Sequence, residues 1–553
     1  MKRDYARVVA PYRTIERTET ADAPQDQGIV GDVIGQFADP LAFYRELVQN
    51  SIDAGSPSIE VRLEHADSRL RVAVRDRGEG MTQDVLENQL LVLFRSTKEK
   101  DDTKIGKFGI GFASVLAPNP ELVVVHSTRD GRRLTLHLHR DLTYQLFDAG
   151  PASQVGTTVE LELAATVEQA HDLVARSRAA LVRWCRHASV PIQLEIEVPG
   201  LERSVERIDR PLGIDGALIE VRATSPDGRL TAVVGLLPKA APYVGFFNHG
   251  LMLHETTEPL AGQVACKLQD ARLGHTLSRD NVRRDEHFEQ AMSFVRSLAD
   301  RELPRASGLA LREAAEAGDY PRYRSLARAV NDAGLELKAD AWWVPLVDPI
   351  DGRRAAAVDS LGRRAWMADE STHLSATLAA NGVPVLHVSG TDRDWFAAHL
   401  RASAGIQISA IRSSFVRVAT VDLTDSDHAL LSMLDAYLDA CRRRPAAIAI
   451  AQLEGAWSYE LAVTGGPDDA RYTEDGAYVL DQDIARRTPF PVLGRRCLVL
   501  NEGHPMIRAV RALDDPRVAA VHLARAILLE HELLDERRST ILLDRALVAL
   551  GVM

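Results

Sequence analysis

"FYRELVQNSIDAG", residues Phe43 to Gly55, decides how the N-terminal third of the chain is read. As a helix it sets Glu46, Asn50 and Asp53 at spacings of four and three, within an arc of roughly 60° at 100° per residue. Phe43 and Leu47 fall beside them, on the side that faces a core. An acid, an amide and a second acid thus run along the edge of a buried face. A carboxylate placed there can orient a water for attack on a phosphoryl group. An amide oxygen one turn on suits Mg2+, which takes hard oxygen ligands. The same spacing also fits the polar edge of an ordinary amphipathic helix.

The sequence downstream adds three further motifs. "SIEVRLEHADSRLRVAVRDRG" reads as two alternating strands joined by a short polar turn. At its end stands "DRGEGM", Asp76 to Met81: an acid and two glycines that let the backbone approach a flat ligand. Asp76 can accept from an exocyclic amine while Met81 packs on the ring, although a plain strand-to-helix turn reads the same way. "TQDVLENQLLVL" reads as helical. "GKFGIGF", Gly106 to Phe112, then opens a helix with Gly106, Phe108, Gly109, Ile110, Gly111 and Phe112, exposing N–H groups at its positive end. Lys98, Lys100 and Lys104 stand just before it and Lys107 within it, four of the eight lysines in a chain with 66 Lys plus Arg. A solvated loop accounts for any one of them, and ammonium groups beside a polyphosphate account for the cluster. In "GTTVELEL" from Gly156, Thr157 at a strand start can hold a water beside Asp76.

Composition bounds the rest. With 46% hydrophobic and 26% charged residues, the chain has the balance of a soluble globular protein. A net charge of −12 argues against a dominant nucleic-acid surface. Cys185, Cys266, Cys441 and Cys497 are far apart with no CxxC pair, as expected of reduced thiols in the cytoplasm. "MKRDYARVVAPYRTIERTET" has no apolar signal-peptide core, and no apolar run reaches the roughly 20 residues of a membrane span.

In this order the four motifs resemble the ATP-binding fold shared by gyrase, Hsp90, sensor histidine kinases and MutL, the GHKL or Bergerat fold, over about residues 29–165. The resemblance implies ATP and Mg2+ as ligands, Glu46 as general base, Asn50 as metal ligand, Asp76 as adenine reader and Gly106 to Phe112 as hinge of a lid. Asp53, Gly80, Met81, Lys98 and Thr157 are carried as further nucleotide-contacting positions.

The later sequence selects a branch. "KLQDARLGHTLSRDNVRRDEHF", residues 267–288, resembles the Hsp90 middle-domain segment whose arginine reaches the γ-phosphate; the matching residue is Arg279, which otherwise reads as a surface arginine. "HLSATLAANGVPVLHVSGTDRDWFAAHL" resembles the small α/β part of that region, and "LVLNEGHPMIRAVRAL" the bacterial Hsp90 dimerisation domain. The chain ends "ALGVM" without an acidic tail motif, which fits a bacterial type. The expected fold is α+β: a GHKL α/β sandwich over 1–195, a middle domain over 196–425 in two α/β parts (about 196–335 and 336–425), and a helix-rich dimerisation domain over 426–553. The implied activity is an ATP-driven homodimeric clamp that remodels protein clients, with no membrane or nucleic-acid partner. Alternatives are a MutL- or MORC-like clamp acting on nucleic acid, or a specialised Hsp90 paralogue in stress signalling or defence. A sensor kinase fits poorly, because the ATP motifs come first.

Overall fold

The computed structural model describes residues 13–17, 39–91, 111–274, 276, 281–465, 471–472, 478–481 and 497–552. The chain divides into two compact units, Met1–Leu303 and Pro304–Met553.

The first unit is built on a nine-stranded sheet. Its strands are β1 (Arg13–Arg17), β2 (Ile59–Ala66), β3 (Arg69–Asp76), β4 (Leu122–Arg129), β5 (Arg132–His139), β6 (Tyr144–Pro151), β7 (Gly156–Ala164), β8 (Ile192–Glu197) and β9 (Ser204–Arg207), in the order β1-β6-β5-β4-β7-β3-β2-β8-β9. The polar turn expected after Ala66 is formed by Asp67 and Ser68, both at positive φ, and Asp130 and Gly131 turn β4 into β5 the same way. Two such residues match the right-handed twist of the flanking strands. Alternation then sorts the faces. Ile59, Val61 and Leu63 of β2 and Leu70, Val72 and Val74 of β3 are buried. Helices α1 (Phe43–Asp53) and α2 (Val167–Cys185) complete this core. Phe43, Tyr44, Leu47 and Val48 lie on the buried side of α1, and Phe43, Leu47 and Val48 each contribute about 1.5–3 kcal/mol by leaving water. The opposite face is polar, with Arg71 reaching Glu162 (3.4 Å) and Glu160 (3.7 Å). This two-layer α+β arrangement is the one expected from the sequence.

The nine-stranded sheet runs past residue 195. That position lies inside β8, which pairs in parallel with β2 from Ile59↔Ile192 onward, and β9 extends the sheet to Arg207. A second, five-stranded sheet follows: β10 (Ile219–Thr224), β11 (Leu230–Leu236), β12 (Tyr243–Asn248), β13 (Leu251–Thr256) and β14 (Ala265–Asp270), ordered β10-β11-β14-β12-β13. Helix α3 (Glu286–Ser297) covers one face, with Phe288 stacked on Phe246. Arg183 at the end of α2 pairs with Glu255 of β13 at 2.9 Å.

The second unit starts with α4 (Leu303–Ala317) and α5 (Tyr320–Asp332). Strands β15 (Trp343–Ile350), β16 (Arg353–Ala357), β17 (Arg364–Ala368), β18 (Val385–His387) and β19 (Gln407–Ala410) form a sheet with α6 (His373–Ala380) and α7 (Arg393–Ala404) between them in sequence. A six-stranded sheet comprises β20 (Phe415–Thr420), β21 (Ala447–Gly455), β22 (Ala462–Gly465), β23 (Arg471–Tyr472), β24 (Tyr478–Asp481) and β25 (Cys497–Asn501). Four helices accompany it: α8 (Asp425–Ala440), α9 (Pro505–Arg511), α10 (Pro516–Glu530) and α11 (Glu536–Ala549). The boundary placed at 426 falls within α8, and β20 before it pairs with β21 behind it, so residues from 415 share a sheet with the C-terminal region. Among the described residues no helix is long and apolar enough to cross a membrane.

Asp427 ties this last layer together. Its carboxylate accepts from Thr424 N–H (2.9 Å) and Thr424 Oγ1 (2.8 Å), capping α8, and pairs with Arg511 through Nε (2.7 Å) and Nη2 (2.9 Å). The Arg511 guanidinium, ahead of the capping bonds, holds the carboxyl down at about 2. A depressed carboxyl stabilises the fold above its ordinary value, and that stability is lost as pH falls toward 2. Asp427→Asn is expected to cost roughly 3 kcal/mol in urea unfolding at pH 7, with the difference from the wild type shrinking below about pH 4. Equal midpoints at pH 7 would remove Asp427 from the structural account.

Candidate nucleotide site

Helix α1 presents Glu46 and Asn50 half-buried, one turn apart. Arg45, buried itself, lies over the Trp184 ring of α2 at 5.4 Å and holds Glu46 Oε1 at 2.8 Å. A stacked guanidinium loses little further freedom in making that bond, so the Glu46 carboxylate is oriented. Its other oxygen faces Gly111, where a Cβ would fall 2.6 Å from Glu46 Oε2. The helical turn after the glycine loop is therefore packed directly on α1; Phe112 is buried and Ser114 Oγ donates to Gly111 O at 2.6 Å. The Asn50 amide has no hydrogen-bond partner among the described residues. Asp53 is exposed and accepts from Gln49 Nε2 at 2.9 Å. The structure thus sets Asp53 apart from the half-buried pair.

Asp76 ends β3 at the centre of a second group. Its Oδ1 accepts from the N–H groups of Gly78 (2.8 Å) and Thr157 (3.1 Å). Oδ2 lies 3.4 Å from Ser51 Oγ of α1, whose hydroxyl also donates to Leu47 O at 2.9 Å. Burial pushes the Asp76 carboxyl above its ordinary value, and the bonds from Gly78, Thr157 and Ser51 offset part of that. The chain comes close here because Gly156, at φ 134°, puts its Cα where any Cβ would fall 2.4 Å from Asp76 O. The 78–81 loop is fixed against β4. Gly80, at φ 68°, would set a Cβ 2.2 Å from Thr128 O, and Met81 N–H donates to Ser127 Oγ at 2.8 Å. Ser127 Oγ in turn lies 3.0 Å from Thr157 Oγ1, its opposite number across β4 and β7.

Asp76, Gly80, Met81 and Thr157 are thereby brought together, as are Glu46 and Gly111. Ser51 and Ser127 belong to the same network and were not singled out in the sequence. Lys98, Gly106, Phe108, Gly109, Ile110 and Arg279 lie outside the described residues. Chemically, an Asp76 oxygen with open acceptor capacity suits an amine donor on a flat ring. No group of three or more His, Cys, Asp or Glu side chains able to hold a metal occurs among the described residues. Mg2+ nonetheless fits, because it keeps waters and phosphate oxygens and needs few protein ligands; the unpartnered Asn50 amide is the oxygen on offer.

Residues 44–153 match the family of histidine kinase-, DNA gyrase B-, and HSP90-like ATPases. Over that span the chain is similar to the ATPase domain that this family shares. The span includes Glu46, Asn50, Asp76, the glycine loop and Ser127, and stops just before Thr157. The chain is also similar to the Chaperone protein HtpG of Idiomarina loihiensis (strain ATCC BAA-735 / DSM 15497 / L2-TR), 26% identical over 171 residues. That similarity covers 28% of this chain and 26% of the relative, so the chain spans about a quarter of the length of the curated relative it matches.

Proposed function

We propose that the chain is an Hsp90-type molecular chaperone, an ATP-driven dimeric clamp that binds ATP with Mg2+, hydrolyses it and remodels protein clients. The observation that carries the reading is the joint placement of two groups within one GHKL-type domain: the oriented Glu46 carboxylate against Gly111, and Asp76 bonded to Gly78 and Thr157. In this reading Asp76 Oδ2 accepts from the adenine amine and Met81 packs on the ring. Asn50 holds Mg2+, which neutralises developing phosphate charge when bound, and Glu46 takes a proton from the attacking water. Gly106 to Phe112 would hinge a lid and Lys98 would approach phosphate. Arg279 would arrive from the following domain to stabilise charge on the transferring phosphoryl, tying turnover to closure.

Support for a dimer comes from the C-terminal helices. Leu529 of α10 and Leu543 of α11 are 64% and 59% exposed, and Val548 and Leu550 are exposed beside the end of α11. Exposed leucines on terminal helices are the kind of surface a second copy covers. Leu543→Glu combined with Leu529→Glu is expected to shift a dimeric mass to a monomeric one in light scattering at micromolar protein, and to lower ATP turnover per chain. A mass unchanged by both substitutions would place any dimer interface elsewhere. The test of the whole reading is ATP hydrolysis by the purified chain followed against protein concentration, with mass measured beside it. No hydrolysis at any concentration, with correct folding, would overturn it.

A further inference from the structure

A cavity of about 480 Å³ lies in the first unit, between the end of α2 and the face of the second sheet that α3 does not cover. Its size is in the range that holds a small organic molecule. At its floor is Lys267 of β14, 9% exposed, whose Nζ lies 3.0 Å from His187 Nε2. The roles in that pair are fixed from the other side of the ring. His187 Nδ1 is 3.0 Å from Arg210 O, a carbonyl that can only accept, so Nδ1 carries the proton and Nε2 accepts from the lysine. Burial, ahead of the nearby Lys267 and Arg186 charges, holds His187 down at about 4, so it stays neutral at physiological pH. Burial, then Arg186, holds Lys267 below its ordinary value, against the opposing pull of Asp215, Glu220 and Glu255.

The charges around the cavity do not cancel. Arg183, Arg186 and Lys267 line it against Asp215 and Glu255. Arg186 is engaged with Asp215 through two bonds, one of them 2.7 Å, and Arg183 with Glu255 at 2.9 Å. Glu255 also accepts from Tyr243 Oη at 3.2 Å. Among the described residues Lys267 makes no ion pair, and a neutral imidazole is its hydrogen-bond partner. A buried ammonium with further donors to satisfy is costly unless an anion completes it. The remaining wall is apolar, with Phe247, Met252 and Ile214. Lysine is also rare in this chain, eight against 58 arginines (66 Lys plus Arg), so an ammonium at this point departs from its habit.

We propose that this cavity binds a small carboxylic acid with an apolar body, its carboxylate on Lys267 Nζ and its body against Phe247 and Met252. One ammonium without an ion-pair partner among the described residues matches a monoanion, whereas a dianionic phosphate would bring a second charge into an apolar wall with nothing to meet it. The site is separate from the nucleotide site and does not depend on how ATP is used.

The test is calorimetry on the full chain without nucleotide, using 3-phenylpropionate, its amide and inorganic phosphate. The acid is expected to bind at about millimolar strength, which suits a ligand of its size. The amide and phosphate should each bind at least about tenfold more weakly, as should the acid to Lys267→Met. Val182→Trp, at the exposed rim, narrows the mouth and is expected to weaken the acid similarly; it decides the matter if Lys267→Met does not fold. The proposal is overturned if acid and amide bind alike, if phosphate binds as well as the acid, if whichever of the two variants folds binds the acid as the wild type does, or if the acid gives no binding up to about 10 mM.

Discussion

Glu46→Gln is expected to lower ATP turnover by about two to four orders of magnitude while leaving nucleotide affinity within about threefold. The substitution keeps the shape of the side chain and an acceptor for Arg45, which sits 2.8 Å from Oε1, so the packing of α1 on α2 through Trp184 is retained. What it removes is the capacity to take a proton from water at the position facing Gly111. Single-turnover hydrolysis of radiolabelled ATP gives the rate, and equilibrium binding of a non-hydrolysable analogue gives the affinity. A loss of rate with unchanged affinity marks an interaction that operates in the transition state. A wild-type rate in Glu46→Gln would sink the assignment of the base. Loss of binding together with rate would make Glu46 a structural support of the site.

How far the sequence reveals this site can be judged residue by residue. Helix α1 is legible because Phe43, Leu47 and their neighbours repeat at helical spacing, and Glu46 and Asn50 follow from the same spacing. Asp53 shows where spacing stops being enough. It shares the arc but stands in the last turn, exposed, with Gln49 one turn back competing for it. The β2–β3 and β4–β5 hairpins are written in "HADSR" and "TRDGR", whose turn residues tolerate positive φ. The segment "TQDVLENQLLVL" reads as a plain helix, yet among its described residues only Gln83–Val85 is α-helical before a π-turn over Leu86–Leu90.

Long-range pairing is what local patterns do not carry. Nothing in "PIQLEIEV" names β2, far earlier in the chain, as the parallel partner of the strand formed there, and with that pairing the nine-stranded sheet runs beyond residue 195. The same holds for β20, which pairs across α8 with β21. Ser127 is an instance within the site. It is one small hydroxyl in the buried strand "LVVVHSTR", and its importance appears when the β4–β7 register sets it opposite Thr157. Ser51 likewise becomes visible once β3 delivers Asp76 beneath α1.

Asp76→Asn is expected to weaken ATP and ADP binding by about a hundredfold, roughly 3 kcal/mol, without lowering the stability of the apo protein. The amide oxygen can still accept from Gly78 and Thr157, as Asp76 Oδ1 does at 2.8 and 3.1 Å. The amide nitrogen then takes the place of Oδ2 and presents a donor to the adenine amine, which is also a donor. Stability should move the other way. Burial raises the Asp76 carboxyl above its ordinary value, so ionisation is harder in the folded chain than in the unfolded one. A raised carboxyl destabilises the fold once pH exceeds its unfolded value, and a neutral isostere removes that cost near pH 7. Urea unfolding without nucleotide should give a midpoint equal to or above that of the wild type. The stabilisation that saturating ATP confers on the wild type should be absent in the variant at the same concentration. Binding retained within about threefold would show that Asp76 does not read the base. A large drop in apo stability would make it a structural carboxylate, and the shared pocket with Met81 and Thr157 would then have to be assigned to another ligand.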